Sequence, residues 1–249
     1  MLPVGRNVDL DPHFVEFLSG LGEHALVREV DLSLTPASYE RESEAYRRIA
    51  ASRSVDGVYL SSMRNDDQRI GLMKKLGNGD TDFAFAVHRL NGVERAMASC
   101  GVPLESLQHH SAAMNEENGY RIAMTLFRDT HPAQRPTGVL SASMFTTLGM
   151  VRAFNQLGLR MPDDVSIITH DDVFPFLKPE RFTVPLTTTR SSIRAAGARI
   201  CERLVDIISG VETEPVQEIW PVELIVRAST GPAPAERKPA RGPAAEAAE

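Results

Sequence analysis

The sequence predicts an α/β fold built on mostly parallel sheets. Short apolar runs rich in β-branched residues, such as VDGVYLSS at 55–62 and VSIITHDD at 165–172, indicate buried strands. Amphipathic stretches of about 10 to 15 residues lie between such runs and show the period of helices. Strands that alternate with helices in this way form βαβ units, in which the paired strands run parallel.

The first part of the chain is predicted to contain three helices and two strands. Asp11 and Pro12 are typical of a helix start, and apolar side chains at 14, 17, 18 and 21 form one stripe, which predicts a helix over 11–23. The other predicted elements are a strand at 25–34, a charged amphipathic helix at 36–52, the strand at 55–62, and a helix at 65–77 that Gly77 closes.

The same alternation continues through the rest of the chain after a loop at 77–83. The predicted elements are a helix at 87–101, a weak strand at 104–112, a helix at 115–129 capped by Asn115, a strand at 136–143, a helix at 144–158, the strand at 165–172, a short strand at 185–190, a long helix at 191–210 and strands within 217–230. The segment 231–249 is rich in Pro, Ala and Glu without an apolar period, so it is predicted to be a disordered tail.

Composition excludes several classes of protein. A net charge of -6 argues against nucleic-acid binding through the chain's own surface, because such domains usually carry a basic patch. The two cysteines, Cys100 and Cys201, lie outside any CxxC or His-rich frame, so no zinc site is expected, and two lone cysteines suit a reducing cytosol. No long apolar run and no secretory signal pattern appear, so we expect a cytoplasmic protein without a membrane span.

Two adjacent carboxylates, Asp171 and Asp172, end the strand at 165–172, where ligands of parallel sheets bind. A catalytic pair is one interpretation, but neighbours on a strand point to opposite faces. A metal site would need further ligands beyond the adjacent His170. A grip on paired sugar hydroxyls and a turn or helix cap are the remaining interpretations.

Motifs of enzymes are absent from the sequence. It contains no GxGxxG, GxxxxGK[ST], GxSxG or HExxH pattern, and no nucleophile stands in an evident frame with a base. His109 and His110 lie together on the weak predicted strand and are interpreted as an exposed pair. We therefore expect a protein that is not an enzyme and needs neither a cofactor nor a metal.

Three segments in order resemble the C-terminal core of the LacI/GalR family of bacterial transcriptional regulators. They are RPTGVLSASMFTTLGMVRAFNQLGLRMPDDVSIITHDD from residue 135, VPLTTTRSSIRAAGARICERLVDII from residue 184, and ELIVRAST from residue 223. DPHFVEFLSGL, RSVDGVYLSS and NEENGYRIAMTLF extend the likeness over nearly all of 8–230. The resemblance implies two α/β subdomains with parallel sheets, similar to type I periplasmic binding proteins, around a cleft that holds a small effector.

The resemblance assigns an effector-binding role to two charged residues. Asp171 falls on the family's effector-binding Asp, while Asp172 is assigned to the following turn. Arg89, in the segment HRLNG, falls on the family's effector-binding Arg. A guanidinium offers a rigid fork of donors to hydroxyl or carboxylate oxygens. An ordinary surface arginine is the alternative for Arg89.

Four further residues are assigned to the effector cleft by the resemblance. His13 and Phe14 fall on an aromatic pair near the cleft, where a ring stacks on the apolar side of a sugar, and core packing is the alternative for Phe14. Ser62 ends the strand 55–62. Ser143 takes the place of an Asn found in many members, and Met144 replaces the Asp that usually follows.

Comparison with the family also predicts that parts are missing. The helix-turn-helix and hinge that bind operator DNA are not in this chain, and roughly 40 to 50 family residues have no counterpart between Asn78 and Gly79, judged from usual subdomain size. We expect a partial N-terminal subdomain at 1–80, to which helix 189–210 returns, and a C-terminal subdomain at 81–188 with 216–230. The incomplete half is expected to be the less stable one.

The resemblance implies an effector-sensing domain for a sugar or glycoside. Operator DNA would be bound only through the missing helix-turn-helix, and the chain would form a homodimer. A stand-alone sugar-binding protein, a non-functional truncated regulator and a sugar-modifying enzyme are the rival interpretations.

Overall fold

The computed structural model describes residues 2–3, 12–37, 41–52, 54–59, 84–170, 174–214 and 216–232. The chain divides into two compact units: Met1–His109 with Arg194–Pro215, and His110–Ile193 with Val216–Glu249. The division therefore assigns 84–109 to the first unit, whereas the family-based boundary at residue 80 would assign that stretch to the second. The predicted helix at 65–77 and most of the predicted tail lie outside the described residues.

The first unit is described mainly through its helices. They are α1 (Pro12–Val27), α2 (Glu42–Ser52), α3 (Ala84–Ser99) and α6 (Ile193–Ile208), the last returning from the far end of the chain. Two short strands, β1 (Leu2–Pro3) and β2 (Pro36–Ala37), pair in parallel. Phe17 on α1 stacks on Tyr59 with ring centroids 4.9 Å apart, which packs the helix against the segment 54–59.

In its described residues, the second unit has a four-stranded sheet and two α-helices. The sheet order is β3 (Gly138–Ser141), β4 (Ser166–His170), β5 (Thr187–Arg190) and β6 (Glu223–Ile225), with β6 antiparallel to its neighbour. The helices are α4 (Glu116–Phe127) and α5 (Met144–Gln156). The core of this unit includes the fully buried Phe127, Phe154 and Ile167.

Helix ends in both units carry capping residues of the types that favour a helix start or stop. Asn115 caps α4 by accepting a hydrogen bond from the backbone N of Asn118 at 2.9 Å. Gly101, Gly158 and Gly210 follow α3, α5 and α6 with φ of 66°, 66° and 73°, a left-handed conformation that glycine adopts without steric cost. The glycines at the ends of the predicted helices 87–101, 144–158 and 191–210 therefore lie where these helices stop.

The strand predicted at 25–34 is wrong. α1 continues through Val27 and buries Ala25, and residues 30–35 form no strand. The helix closes where Glu29 adopts a φ of 55° and Val30 N donates to the carbonyl of Ala25 at 3.0 Å. The weak strand predicted at 104–112 is also wrong, because Leu104–Ser106 forms a 3₁₀ turn and 107–112 carries no pairing.

Each unit contains a pair of helices in backbone contact through reciprocal glycines. A Cβ placed on Gly20 of α1 would lie 1.8 Å from the carbonyl oxygen of Arg194, and one placed on Gly197 of α6 would lie 2.2 Å from that of Phe17. In the second unit, the helices α4 and α5 repeat the arrangement. A Cβ placed on Gly119 would lie 1.9 Å from the carbonyl oxygen of Thr146, and one placed on Gly149 would lie 1.9 Å from that of Glu116. Neither pair tolerates a side chain at these positions.

We predict that Gly20→Ala destabilises the protein, because the methyl group overlaps a backbone atom of α6. The expected loss is about 1 to 3 kcal/mol in the free energy of unfolding, measured by urea denaturation. Gly22→Ala on the same helix is the control: no atom lies within 4 Å of its Cβ position. Equal urea midpoints for Gly20→Ala and Gly22→Ala would contradict the close contact between Gly20 and α6.

The turn that leads from α5 into β4 is held by an ion pair. Asp164 Oδ2 accepts hydrogen bonds from the backbone N of Arg160 at 2.8 Å and from its Nε at 3.0 Å. Burial raises the pKa of Asp164, but the hydrogen bonds and charge of Arg160 outweigh it and hold that pKa below its usual value. Asp163 and Asp164 both lie in this turn, and Asp163 also pairs with Arg160.

We predict that Asp164→Asn lowers the free energy of unfolding by about 1 kcal/mol at neutral pH. A carboxyl whose folded pKa is depressed stabilises the fold above its unfolded pKa, and this stabilisation is lost as the pH falls through the folded value. The native protein and Asp164→Asn should therefore have similar free energies of unfolding in urea at acid pH. A difference independent of pH would show that the charge of Asp164 is not involved.

Candidate functional site

The carboxyl edge of the second sheet brings together the ends of three parallel strands. β3 ends at Ser141, β4 at His170 and β5 at Arg190. Ser141 pairs with Thr169 across the ladder, and His170 pairs with Thr189. Polar side chains therefore collect at the edge beyond which open α/β sheets bind ligands.

A hydroxyl cluster, defined as Ser141, Ser143, Thr147 and Thr169, lies at this edge and is buried. Thr147 Oγ1 on α5 is 2.7 Å from Thr169 Oγ1 and 3.0 Å from the carbonyl oxygen of Ser143. Ser141 Oγ donates to the same carbonyl at 3.1 Å. Because the buried hydroxyls are hydrogen-bonded, the cluster joins the start of α5 to the ends of β3 and β4.

Ser143, one of the predicted effector contacts, is the N-cap of α5. Its Oγ accepts a hydrogen bond from the backbone N of Phe145 at 3.2 Å, and the residue is fully buried. An N-cap oxygen satisfies a backbone donor that the first turn of a helix leaves unpaired. The structure thus gives Ser143 a capping role, and its contact with an effector stays a prediction.

His170 is fixed at the end of β4 by its neighbour on β5. Its Nδ1 lies 2.6 Å from Thr189 Oγ1, and the side chain is half-buried. This hydrogen bond holds the plane of the imidazole at the carboxyl edge of the sheet. Asp171, the next residue in the chain, lies outside the described residues, so its predicted role stays a prediction.

The remaining predicted site residues belong to the first unit. His13 and Phe14 lie together in the first turn of α1 and are half-buried, so part of each side chain is accessible. Arg89 is exposed on α3, a separate helix. Ser62 lies outside the described residues. In the first unit, the structure therefore places His13 and Phe14 next to each other. In the second unit, it places Ser143 at the same edge of the sheet as His170.

Charged contacts join α1, and Arg28 directly after it, to α6. Arg194 Nε is 3.1 Å from Glu16 Oε2, and Arg28 Nη2 is 2.8 Å from Asp206 Oδ1. The hydrogen bond with Glu16 raises the pKa of Arg194 despite the opposing effect of partial burial. In the described part of the chain, no group of three or more His, Cys, Asp and Glu side chains is placed to hold a metal ion.

Sequence reasoning missed Thr147, Thr169 and Thr189, which organise the polar edge. A weak signal for Thr147 was its position four residues after the cap Ser143, where a helix brings a hydroxyl back to a carbonyl of the preceding turn. The signal for Thr169 was a polar residue at a buried position of an apolar strand. Neither signal identifies the hydrogen-bond partner of the hydroxyl, because Thr147 and Thr169 are 22 residues apart in the chain.

A family model described as "Periplasmic binding protein-like domain" matches residues 67–230. The HTH-type transcriptional regulator AglR of Rhizobium meliloti (strain 1021) is 40% identical over 288 residues, which cover 98% of this chain and 80% of that protein. The chain belongs to the LacI family of transcriptional regulators.

Solved structures of LacI-family regulators share the fold. A regulatory protein of the family from Chloroflexus aggregans is 25% identical, with a TM-score of 0.73 over 92% of this chain and 96% of that one. The transcriptional regulator CelR, in complex with cellobiose, is 22% identical, with a TM-score of 0.75 over 91% of this chain and 82% of its own. The predicted α/β fold similar to periplasmic binding proteins is thereby confirmed. Among the helices of the described residues, none is long and apolar enough to cross a membrane.

We predict that Thr147→Val destabilises this member of the LacI family, since the isosteric change removes the hydroxyl between Thr169 and the Ser143 carbonyl. The loss should be about 1 to 3 kcal/mol in the free energy of unfolding, because a buried polar partner is left unsatisfied. Thr146→Val, at the half-buried neighbouring position, is the matched control. Indistinguishable urea midpoints would rule out the cluster as a source of stability.

Proposed function

We propose that the chain is the effector-sensing domain of a LacI-type regulator and that its effector is a sugar or glycoside. The observation that carries the proposal is the match to a transcriptional regulator over 98% of the chain at 40% identity. The cellobiose complex of CelR, a protein of the same fold, supports a sugar as the class of ligand. No catalytic role is proposed, since the matched proteins carry the names of regulators.

The polar edge of the second unit supplies one wall of the proposed site. Asp171 follows His170 at the end of β4 in the sequence, and its carboxylate would accept hydrogen bonds from a pair of sugar hydroxyls. The ring of His170, oriented by Thr189, and the cap Ser143 would shape the surroundings of that carboxylate. The hydroxyl cluster keeps the edge rigid before the ligand arrives, which reduces the entropic cost of binding.

Residues of the first unit supply the other contacts in the proposal. Arg89 would donate hydrogen bonds to hydroxyl or carboxylate oxygens of the effector, and its exposure on α3 leaves the guanidinium accessible. Phe14, half-buried in the first turn of α1, would stack on the apolar side of the sugar, with His13 beside it. Ser62 would add a hydroxyl to the same cleft.

Effector binding would act on DNA through a helix-turn-helix region. The relatives are named HTH-type transcriptional regulators, which indicates such a region in those proteins. A ligand shifts an equilibrium between two states only by its difference in affinity for them. In the proposed mechanism the sugar favours one arrangement of the two units, and the DNA-binding region of a homodimer responds to it. Cytoplasmic action on operator DNA is part of the same proposal.

The alignment with AglR supports the proposed internal deletion. It extends over 288 residues, whereas the whole chain has 249, so part of the relative has no counterpart here. This observation favours a second candidate, a truncated regulator that no longer responds to an effector. A stand-alone sugar-binding protein is the third candidate function for the same fold.

The test of the proposal is a thermal melt against a panel of monosaccharides and disaccharides that includes cellobiose. A sugar present at about 100 times its Kd stabilises the folded protein by about 2.7 kcal/mol, which raises the Tm by several degrees. We expect the shift to vanish in Asp171→Ala and in Arg89→Ala, because each removes a polar contact with the sugar.

Two control variants separate loss of binding from general damage. Arg95→Ala changes an exposed arginine on the same helix as Arg89, and Asp31→Ala removes an exposed carboxylate. Both should keep the full shift. A shift that survives in both site variants would refute the assigned site, and a melt without cooperativity or response to any sugar would favour the truncated regulator.

A further inference from the structure

Three phenylalanine rings of the second unit stack in sequence. The rings of Phe145 and Phe174 have centroids 5.2 Å apart at an angle of 56°, and those of Phe174 and Phe176 have centroids 5.6 Å apart at an angle of 32°. Both distances lie in the range at which aromatic rings attract each other. We call these three rings the phenylalanine ladder.

The ladder is attached to the polar edge of the sheet through the start of α5. Phe145 belongs to the first turn of that helix, and its backbone N donates to the cap oxygen of Ser143 at 3.2 Å. Through Thr147, the hydroxyl cluster joins the same cap to Thr169 in β4. The aromatic rings and the polar groups therefore occupy neighbouring positions at one edge of the sheet.

The ladder leads from the core of the unit to the solvent. Phe174 is buried in the core and Phe145 is half-buried, whereas Phe176 is 67% exposed. A buried ring thus supports a ring that leaves most of its apolar surface in water, which is unfavourable unless something covers it. Stacking on Phe174 also restricts the orientation of the Phe176 ring, so its accessible surface is positioned before a ligand arrives.

The position of Phe176 distinguishes it from an ordinary exposed side chain. Single apolar residues are common on protein surfaces and need no explanation. Phe176, however, lies beside the edge at which open α/β sheets bind ligands. A pyranose carries hydroxyl groups around its rim and C–H groups on its faces, so its site must combine polar groups with an apolar surface. The ladder supplies that apolar surface next to the polar edge.

We propose that Phe176 is a ligand-binding residue and stacks on the apolar face of a pyranose ring, a role that rests on the function proposed above. Phe174 holds the ring of Phe176 in place, and Phe145 holds Phe174 against the start of α5. The stacked ring makes the site selective for cyclic sugars, because an open-chain polyol offers similar hydroxyl groups without a ring face.

Calorimetry with cellobiose, or with the sugar that raises the Tm most, measures the contribution of the ring. Phe176→Ala should weaken binding about tenfold or more, because the sugar loses the apolar surface that it would bury. Phe176→Tyr keeps the aromatic face and should retain the native Kd within about threefold. Sorbitol, an open-chain polyol, should give no measurable binding to the native protein at the same concentrations.

Val226→Ala is the matched control for the loss of an exposed apolar side chain. Val226 is 69% exposed and directly follows β6, outside the ladder. This variant should bind the sugar with the native Kd. Without sugar, the Tm of Phe176→Ala should stay within about 2 °C of the native value, because truncating an exposed side chain changes stability little. The loss of affinity is then separate from any damage to the fold.

A tryptophan placed in the ladder reports the contact directly. The native chain has one tryptophan, Trp220, whose Nε1 donates to Glu218 at 2.8 Å. Trp220→Phe combined with Phe176→Trp leaves a single indole, at position 176. A saturating sugar should shift the emission of this indole to shorter wavelength and reduce its quenching by acrylamide, because the stacked sugar excludes water from one face of the ring.

Several outcomes would overturn the stacking role and leave the proposed function intact. They are a native Kd in Phe176→Ala, an equal loss of affinity in Val226→Ala, binding of sorbitol as tight as that of the sugar, and an indole emission at position 176 that a bound sugar does not change. Light scattering adds one more: if Phe176→Ala keeps its affinity but changes the state of association, the ring contacts another copy of the chain instead of a sugar.

Failure of the proposed function gives a different result. If no sugar binds to the native chain or raises its Tm, the effector function is overturned, and the stacking role is overturned with it. If a sugar binds to the native chain, only the comparison of Phe176→Ala, Phe176→Tyr and Val226→Ala decides the role of the ring.

Discussion

Close backbone contact between two helices, made through glycines, is the constraint on which both units depend. In each unit, a glycine on one helix faces the carbonyl oxygen three residues before the glycine on the other helix, and the relation is reciprocal. Only the absence of a Cβ permits this approach. The contact sets the spacing of α1 and α6, and of α4 and α5, and the side chains around each pair pack at the distance it fixes.

Some of the residues proposed for function, namely Ser143 in the second unit and His13 with Phe14 in the first, lie on or next to a helix of such a pair. In the second unit, Ser143 caps α5 one and a half turns before Gly149, and the hydroxyl cluster connects that cap to the end of β4. In the first unit, His13 and Phe14 begin the helix whose Gly20 meets α6. A site attached to rigidly packed helix starts is held in place before a ligand binds, which is how a scaffold makes polar contacts selective.

Sequence reasoning succeeded where local chemistry decides the structure. The helices at 115–129 and 144–158, the strand at 165–172 and the glycine stops follow from capping, periodicity and backbone freedom, all of which act within a few residues. It failed at 25–34, where alternation suggested a strand. There α1 continues through Val27 with Ala25 buried, and burial of one helix face depends on packing that a local pattern does not specify.

The sequence by itself determined the α/β class, most elements of the second unit and membership of the LacI family, because these depend on periodic patterns and on motifs that remain contiguous in the chain. It also named His170, which the structure places at the end of β4. Only the tertiary structure decided that Ser143 is a buried helix cap, that Thr147 meets Thr169, and that Arg194 pairs with Glu16 of α1. The physical reason is that burial and the choice of hydrogen-bond partner are set by groups distant in sequence, which no local pattern specifies.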